Sequence, residues 1–149
     1  MLGPSHARAP GPSPGPAPGT VWPTALAVAA GGAVGGSARY GVDRLIPVEA
    51  AGFPVATFAV NVVGAFLLGA LLARTVRRRG TGRSPAAGLL PFAATGVLGA
   101  FPTFSTFVVE AAELAVAGDA PLAAAYVTGS VATGLTAAYL GVRIGGGRR

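Results

Sequence analysis

The chain has 149 residues, 52% of them hydrophobic and only 11% charged, with a mean hydropathy of +0.61. That balance lies far outside a soluble domain and argues against a soluble globular enzyme. Its 11 basic residues are all arginine and face five acids, for a net charge of +6; this excess speaks for nucleic acid or for membrane orientation, depending on where the arginines fall.

Residues 1–23 hold seven of the 13 prolines and read GPSPGPAPG at their middle. Proline lacks the backbone donor and glycine costs entropy, so a disordered or polyproline-like tail is expected. The single histidine, His6, lies in it, and the absence of cysteine excludes a disulfide framework and a thiolate metal site. Beyond the tail, residues 50–73, 84–109 and 120–142 carry no charge, and each run exceeds the ~20 residues that a helix needs to cross a bilayer. A fourth apolar run from Thr24 reaches spanning length if it continues through Arg39 to Ile46. The patterning predicts an all-α integral membrane protein with four transmembrane helices over 24–45, 53–73, 87–114 and 121–144, and a basic tail at 145–149. Pro54 and Pro121 sit where a first helical turn tolerates proline, whereas Pro102 falls inside the third span.

Four spans leave no room for a separate soluble domain and put both termini on one side. That side would carry nine arginines: Arg8, Arg74, Arg77, Arg78, Arg79, Arg83, Arg143, Arg148 and Arg149. The opposite loops hold Arg44, with the acids at or near them. By the positive-inside rule both termini are expected in the cytoplasm. The RTVRRRGTGR loop then reads as a topology determinant, and nucleic-acid binding is not expected.

Three segments carry polar chemistry within these spans. In GGAVGGSARYGVDR, Gly31 with Gly35 and Gly32 with Gly36 have the spacing that lets helices approach closely. Arg39, with Asp43 four residues on, must snorkel, pair or draw anions to a pore mouth. In FPVATFAVNVVGAFLLGALL the lone amide, Asn61, must face protein or water, with Thr57 one turn earlier on the same face. Asn61 reads either as an interhelical hydrogen-bonding group or as a pore group. In GVLGAFPTFSTFVVE, Gly96, Gly99 and Pro102 interrupt the span ahead of a dense run of hydroxyls and aromatics. Broken backbone at membrane depth is tolerated only where protein buries it or water reaches it, so exposed carbonyls suited to a cation are expected here. Phe104 and Phe107 share a face; they either only pack or turn positive ring edges toward an anion, to which Ser105 and Thr106 would also donate.

Together GGAVGGSARY, TFAVNVVGAF, GVLGAFPTFSTFVVE and YVTGSVATGL, in this order and spacing, resemble the small four-helix fluoride channels of the Fluc or CrcB type, over most of residues 31–141. The resemblance implies a fluoride-specific channel in the bacterial plasma membrane that passively releases fluoride. It implies an antiparallel dual-pore dimer of oppositely inserted chains, with a structural, non-transported Na+ at its centre. By the same resemblance Asn61, Thr57, Phe104, Phe107, Ser105, Thr106 and Ser130 line fluoride positions, while Arg39 and Glu110 match vestibule or structural residues. The Na+ ligands would be backbone carbonyls of Gly99 and Pro102; proline here replaces the threonine usual in the family, which leaves the oxygen in place. The charge bias also departs from a homodimer that inserts both ways, and predicts a heterodimer with an oppositely biased paralogue.

Two other functions fit these residues less well. A small proton-coupled exporter would want an acid inside the first span, and none precedes Asp43 at its end. A non-transporting assembly protein would use the glycine faces alone. No G-x-x-x-x-G-K phosphate cradle is present, lysine is absent, and no Ser/His or paired-carboxylate set lies within the spans, so neither ATP use nor intramembrane catalysis is expected.

Overall fold

A computed structural model of the chain describes residues 18–46, 52–80, 82 and 88–147. Among them every regular element is helical: α1 (Pro18–Leu45), α2 (Val55–Gly80), a π-helical segment (Pro91–Val97) running into α3 (Leu98–Ala100), α4 (Phe104–Val116) and α5 (Ala120–Gly146).

The helices run past several of the expected boundaries. α1 begins ahead of Thr24, at Pro18, where the missing proline N–H has no intrahelical partner to lose, and it carries Pro23 inside it. Residues 1–17 of the expected tail lie outside the described residues, as do Arg148 and Arg149 at the other end. α2 continues through Arg77, Arg78 and Arg79 to Gly80. Arginine is a good helix former and suits the negative end of the helix dipole, so the helix outlasts its apolar stretch. α5 starts where Asp119 accepts a hydrogen bond from the Leu122 N–H at 3.2 Å, and it extends two residues into the expected tail, to Gly146.

Three segments are long and apolar enough to cross a membrane: Val21–Leu45, Val55–Gly80 and, taken across its break, Pro91–Val116. α5, at 27 residues, is long enough as well, but its hydroxyls and glycines dilute its apolar character. Thr128, Thr133 and Thr136 each donate to a carbonyl one turn back, on Ala124, Gly129 and Ala132, at 2.6–2.8 Å, so these groups are satisfied within the helix. The surface outside the bundle is apolar, with Leu26, Val34, Leu67, Leu68, Leu72 and Leu135 among its exposed side chains.

Two glycine seams set the packing. α2 and α5 run side by side, and a methyl added at Gly69, Gly141 or Gly145 would strike the backbone of Ala138, Phe66 or Ala70 respectively. The π segment lies on α1 in the same manner: a Cβ at Gly96 would sit 2.7 Å from the Gly31 Cα, and one at Gly35 would strike the Val97 carbonyl. Of the two repeats in α1, Gly31 and Gly35 are therefore used in packing within the chain, whereas Gly32 and Gly36 meet nothing within 4 Å. The third span departs from regular α-helix over Pro91–Val97. Its Leu98 N–H reaches back to the Ala93 carbonyl, the five-residue spacing of a π-helix, and this wider turn coincides with the close approach to α1. Replacing Gly141 by valine is expected to destabilise the protein by roughly 1–3 kcal/mol or more, while Gly80→Ala, with nothing within 4 Å, leaves it unchanged; denaturant titration in detergent micelles reads the difference.

Candidate functional site

The third span breaks between Ala100 and Phe104, and Pro102 at the break packs on Gly64 of α2, where an added Cβ would lie 2.8 Å from the proline ring. Thr103 is extended, with φ −140° and ψ 124°. Its backbone is clamped by one side chain: the Asn61 Nδ2 donates to the Thr103 carbonyl at 3.0 Å, and the Thr103 N–H donates to the Asn61 Oδ1 at 2.7 Å. The amide thus answers both polar groups of a residue that belongs to no helix.

Helical bonding around the break is diverted as a result. In a continuous helix the Gly99 carbonyl would accept from the N–H of residue 103, but that N–H goes to Asn61. The Pro102 carbonyl would accept from the N–H of residue 106, yet this N–H goes to the Thr103 Oγ1 at 3.2 Å, which caps α4. Both carbonyls singled out for a cation therefore lose their usual helical donors to side chains.

The first turn of α4 gathers hydroxyls at the break. The Thr103 Oγ1 lies 3.2 Å from the Ser105 Oγ and 3.2 Å from the Thr106 Oγ1. The Arg39 Nη2 donates to the Thr106 Oγ1 at 2.6 Å, and its Nε lies 3.8 Å from the Asp43 Oδ2. Arg39 is thereby held toward the third span by α4 and by its own helix. A helix N-terminus, three hydroxyls and a guanidinium converge on one region, a combination that favours negative charge.

Further along α4, Glu110 ties three helices. It accepts from the Thr57 Oγ1 at 2.8 Å and from the Tyr126 hydroxyl at 2.8 Å. Thr57 is buried and Tyr126 wholly so. Phe107 stands between two rings, its centroid 6.0 Å from that of Phe104 and 5.1 Å from that of Tyr126. Phe53 closes the far side of Tyr126 edge-on at 5.3 Å. Phe104, by contrast, is 78% exposed. Ser130, one turn beyond Tyr126 on α5, has a buried hydroxyl without a hydrogen-bond partner.

The structure therefore joins Asn61, Thr106 and Arg39 around the break, Thr57 to Glu110, and Phe104 to Phe107. No hydrogen bond ties Ser130 to these groups, and Gly99 faces open space. Thr103 and Tyr126 join this candidate site although no motif in the sequence assigns them a role. Each left a signal: Thr103 is of a residue type preferred as an N-cap and stands at the expected break, and Tyr126 lies four residues before Ser130, on the same helix face.

Helices of spanning length, a break inside one of them and polar groups satisfied across helices define a multi-pass membrane protein with a polar centre. A family model described as "CrcB-like protein, Camphor Resistance (CrcB)" matches residues 26–142, and the chain belongs to that family. It is 46% identical over 110 residues to a protein named Fluoride-specific ion channel FluC 3 from Streptomyces avermitilis, a match covering 74% of this chain and 52% of that relative, so the aligned stretch spans about half of that protein's length. It is also 41% identical over 111 residues to the Fluoride-specific ion channel FluC of Paracoccus denitrificans, covering 74% of this chain and 85% of the relative. With the protein of the same name from Deinococcus radiodurans it shares 49% identity over 98 residues, covering 66% and 74%.

Replacing Asn61 by leucine leaves both polar groups of Thr103 without partners, at a cost of ~1–3 kcal/mol each. Amide hydrogen exchange across residues 101–106 is expected to rise at least tenfold in N61L and by less in N61D, which keeps the acceptor for the Thr103 N–H.

Proposed function

We propose that the chain is a subunit of a fluoride-specific ion channel that lets fluoride leave the cytoplasm passively and so lowers its toxicity. The observation that carries this reading is the anion-favouring cluster at the break: the α4 N-terminus, the hydroxyls of Thr103, Ser105 and Thr106, and Arg39 beside them. The names of the relatives supply the anion.

Fluoride holds its water tightly, so a path for it must offer donors in place of that water along its length. On this reading the second amide N–H of Asn61, the hydroxyls of Ser105, Thr106 and Ser130, and the ring edges of Phe104 and Phe107 serve in turn. The partnerless Ser130 hydroxyl supports this, because a buried donor without an acceptor is costly unless something visits it. Thr57 donates to Glu110, so its place in the path lies behind that carboxylate rather than directly on the ion. Glu110 is braced by two donors and serves as a tie among α2, α4 and α5. None of these steps makes or breaks a covalent bond, and the protein is not an enzyme on this account.

The dimer belongs to the same proposal. Phe104 is exposed, so a path that includes it needs a second chain to close it. α5 serves as the fourth span, both termini face the cytoplasm, and the partner is an oppositely inserted paralogue, as the arginine bias suggests. A structural Na+ fits the residues present, because the Gly99 and Pro102 carbonyls are hard neutral oxygens whose helical donors are bound elsewhere. Bound there, the ion would neutralise the negative ends of carbonyl dipoles at the centre of the dimer.

Fluoride efflux from liposomes, followed with a fluoride electrode, tests the reading. Wild type co-expressed with the paralogue is expected to release fluoride, and F107A to slow release at least a hundredfold while chloride stays excluded. An assembly protein without transport would release none and would be indifferent to F107A. The chain reconstituted alone is expected to conduct poorly; full conduction without the partner would exclude the heterodimer.

A further inference from the structure

The glycine seam between α2 and α5 holds the two backbones together as far as Gly145 against Ala70. Beyond it the helix ends frame an open cleft of about 1450 Å³. Its walls divide by chemistry. Leu72 and Val76 from α2 and Val142 and Ile144 from α5 are all exposed apolar side chains, between 47% and 71% accessible. Arg77 and Arg143, one from each helix, stand at the same cleft, and among the described residues no acidic one lines it. Of the described acids, Asp43 and Glu113 lie in the last turns of α1 and α4, Asp119 precedes α5, and Glu110 is bonded to Thr57 and Tyr126. Arg143 is steadied from its own helix, its Nη1 donating to the Tyr139 hydroxyl at 3.1 Å with the guanidinium 5.6 Å from the ring centre. Arg77 reaches toward the end of α5, its Nη1 lying 3.4 Å from where a Cβ on Gly147 would be.

We infer that this cleft is a binding site for an anionic phospholipid, the phosphate lying between Arg77 and Arg143 and an acyl chain running along Leu72, Val76, Val142 and Ile144. Two guanidinium groups contributed by neighbouring helices suit a phosphate, because each offers a planar fork of donors. Basic pockets between transmembrane helices recognise acidic headgroups in this way. Charge alone does not require the site, since an arginine needed only for orientation could stand anywhere near the helix ends. What singles out the cleft is that apolar side chains and one arginine from each helix line it together, which matches an amphiphile and not a free ion. The occupant is independent of which ion the protein conducts.

The test is native mass spectrometry of the full-length protein equilibrated in mixed micelles with phosphatidylglycerol or phosphatidylcholine at equal mole fraction. Phosphatidylglycerol is expected to remain bound through detergent exchange at least tenfold more than phosphatidylcholine, and R77Q/R143Q to abolish the preference. R77K/R143K, which keeps charge and membrane orientation but not the planar forks, retains part of it. Excess inorganic phosphate does not displace the lipid if the apolar wall contributes; displacement by phosphate would mean a plain anion site and overturn the proposal. Equal retention of the two lipids, or undiminished preference in R77Q/R143Q, would overturn it as well. Absence of any bound lipid would mean that the cleft is filled by other parts of the chain and would also reject the site. Fluoride efflux plays no part in these readouts, so their failure is distinct from failure of the channel function.

Discussion

When a helix stops inside a bilayer, the N–H and C=O groups at the stop have no water to turn to, and each needs a partner from the protein. In this chain a single amide answers both groups of the residue at the stop, as Asn61 of α2 bonds to the N–H and the C=O of Thr103. Much of the centre follows from that pair of bonds. They hold Thr103 extended, which lets its hydroxyl cap α4; the cap brings Ser105 and Thr106 alongside, and Thr106 receives Arg39. They also take the N–H that would otherwise close on the Gly99 carbonyl. One interhelical contact thus sets the break, the start of the next helix and the chemistry exposed between them.

The clamp depends in turn on how closely the helices approach. Pro102 fits against α2 only because position 64 is glycine, and Asn61 lies one turn before it on the same face. On one side α2 and α5 meet backbone to backbone through Gly69, Gly141 and Gly145; on the other, α1 meets the π segment through Gly31, Gly35 and Gly96. In lipid there is little hydrophobic gain from pressing apolar helices together, so close van der Waals approach and interhelical hydrogen bonds do that work. Glu110 adds a charged tie, binding Thr57 and Tyr126 from two other helices. Because its two donors sit on different helices, the carboxylate fixes their relative rotation as well as their separation.

Much of this was legible in the residues. Uncharged runs bounded by arginines and acids located the helices, since charge in hydrocarbon is too costly to ignore. Gly96, Gly99 and Pro102 located the break, since proline cannot continue the hydrogen-bond ladder. The helix ends were less legible: α2 runs on through its arginines to Gly80, because helix propensity does not stop where hydropathy does. The π-helical course of Pro91–Val97 left no mark in the residue pattern, as it accompanies contact with a helix some sixty positions away in the chain, a distance that local spacing does not reach. What Thr103 and Tyr126 bond to is illegible for a related reason. A threonine and a tyrosine in an apolar span look like packing until the groups they bond to are brought against them.

By itself, then, the sequence determined that the chain lives in a membrane, how its charge is divided between the two ends of its helices, and where one helix must break, because these follow from the costs of charge, glycine and proline in each segment taken alone. Which groups satisfy that break was decided only by the tertiary structure. Asn61 was readable as an interhelical bond or as a pore group, and only the approach of α2 to Thr103 commits its oxygen and one N–H to the backbone. Glu110 was an acid after a phenylalanine motif, and only the meeting of three helices gives it two donors. Hydrogen bonds between residues 42 or 53 positions apart have no local signature, since they depend on helices packed through glycine rather than on spacing along any one of them.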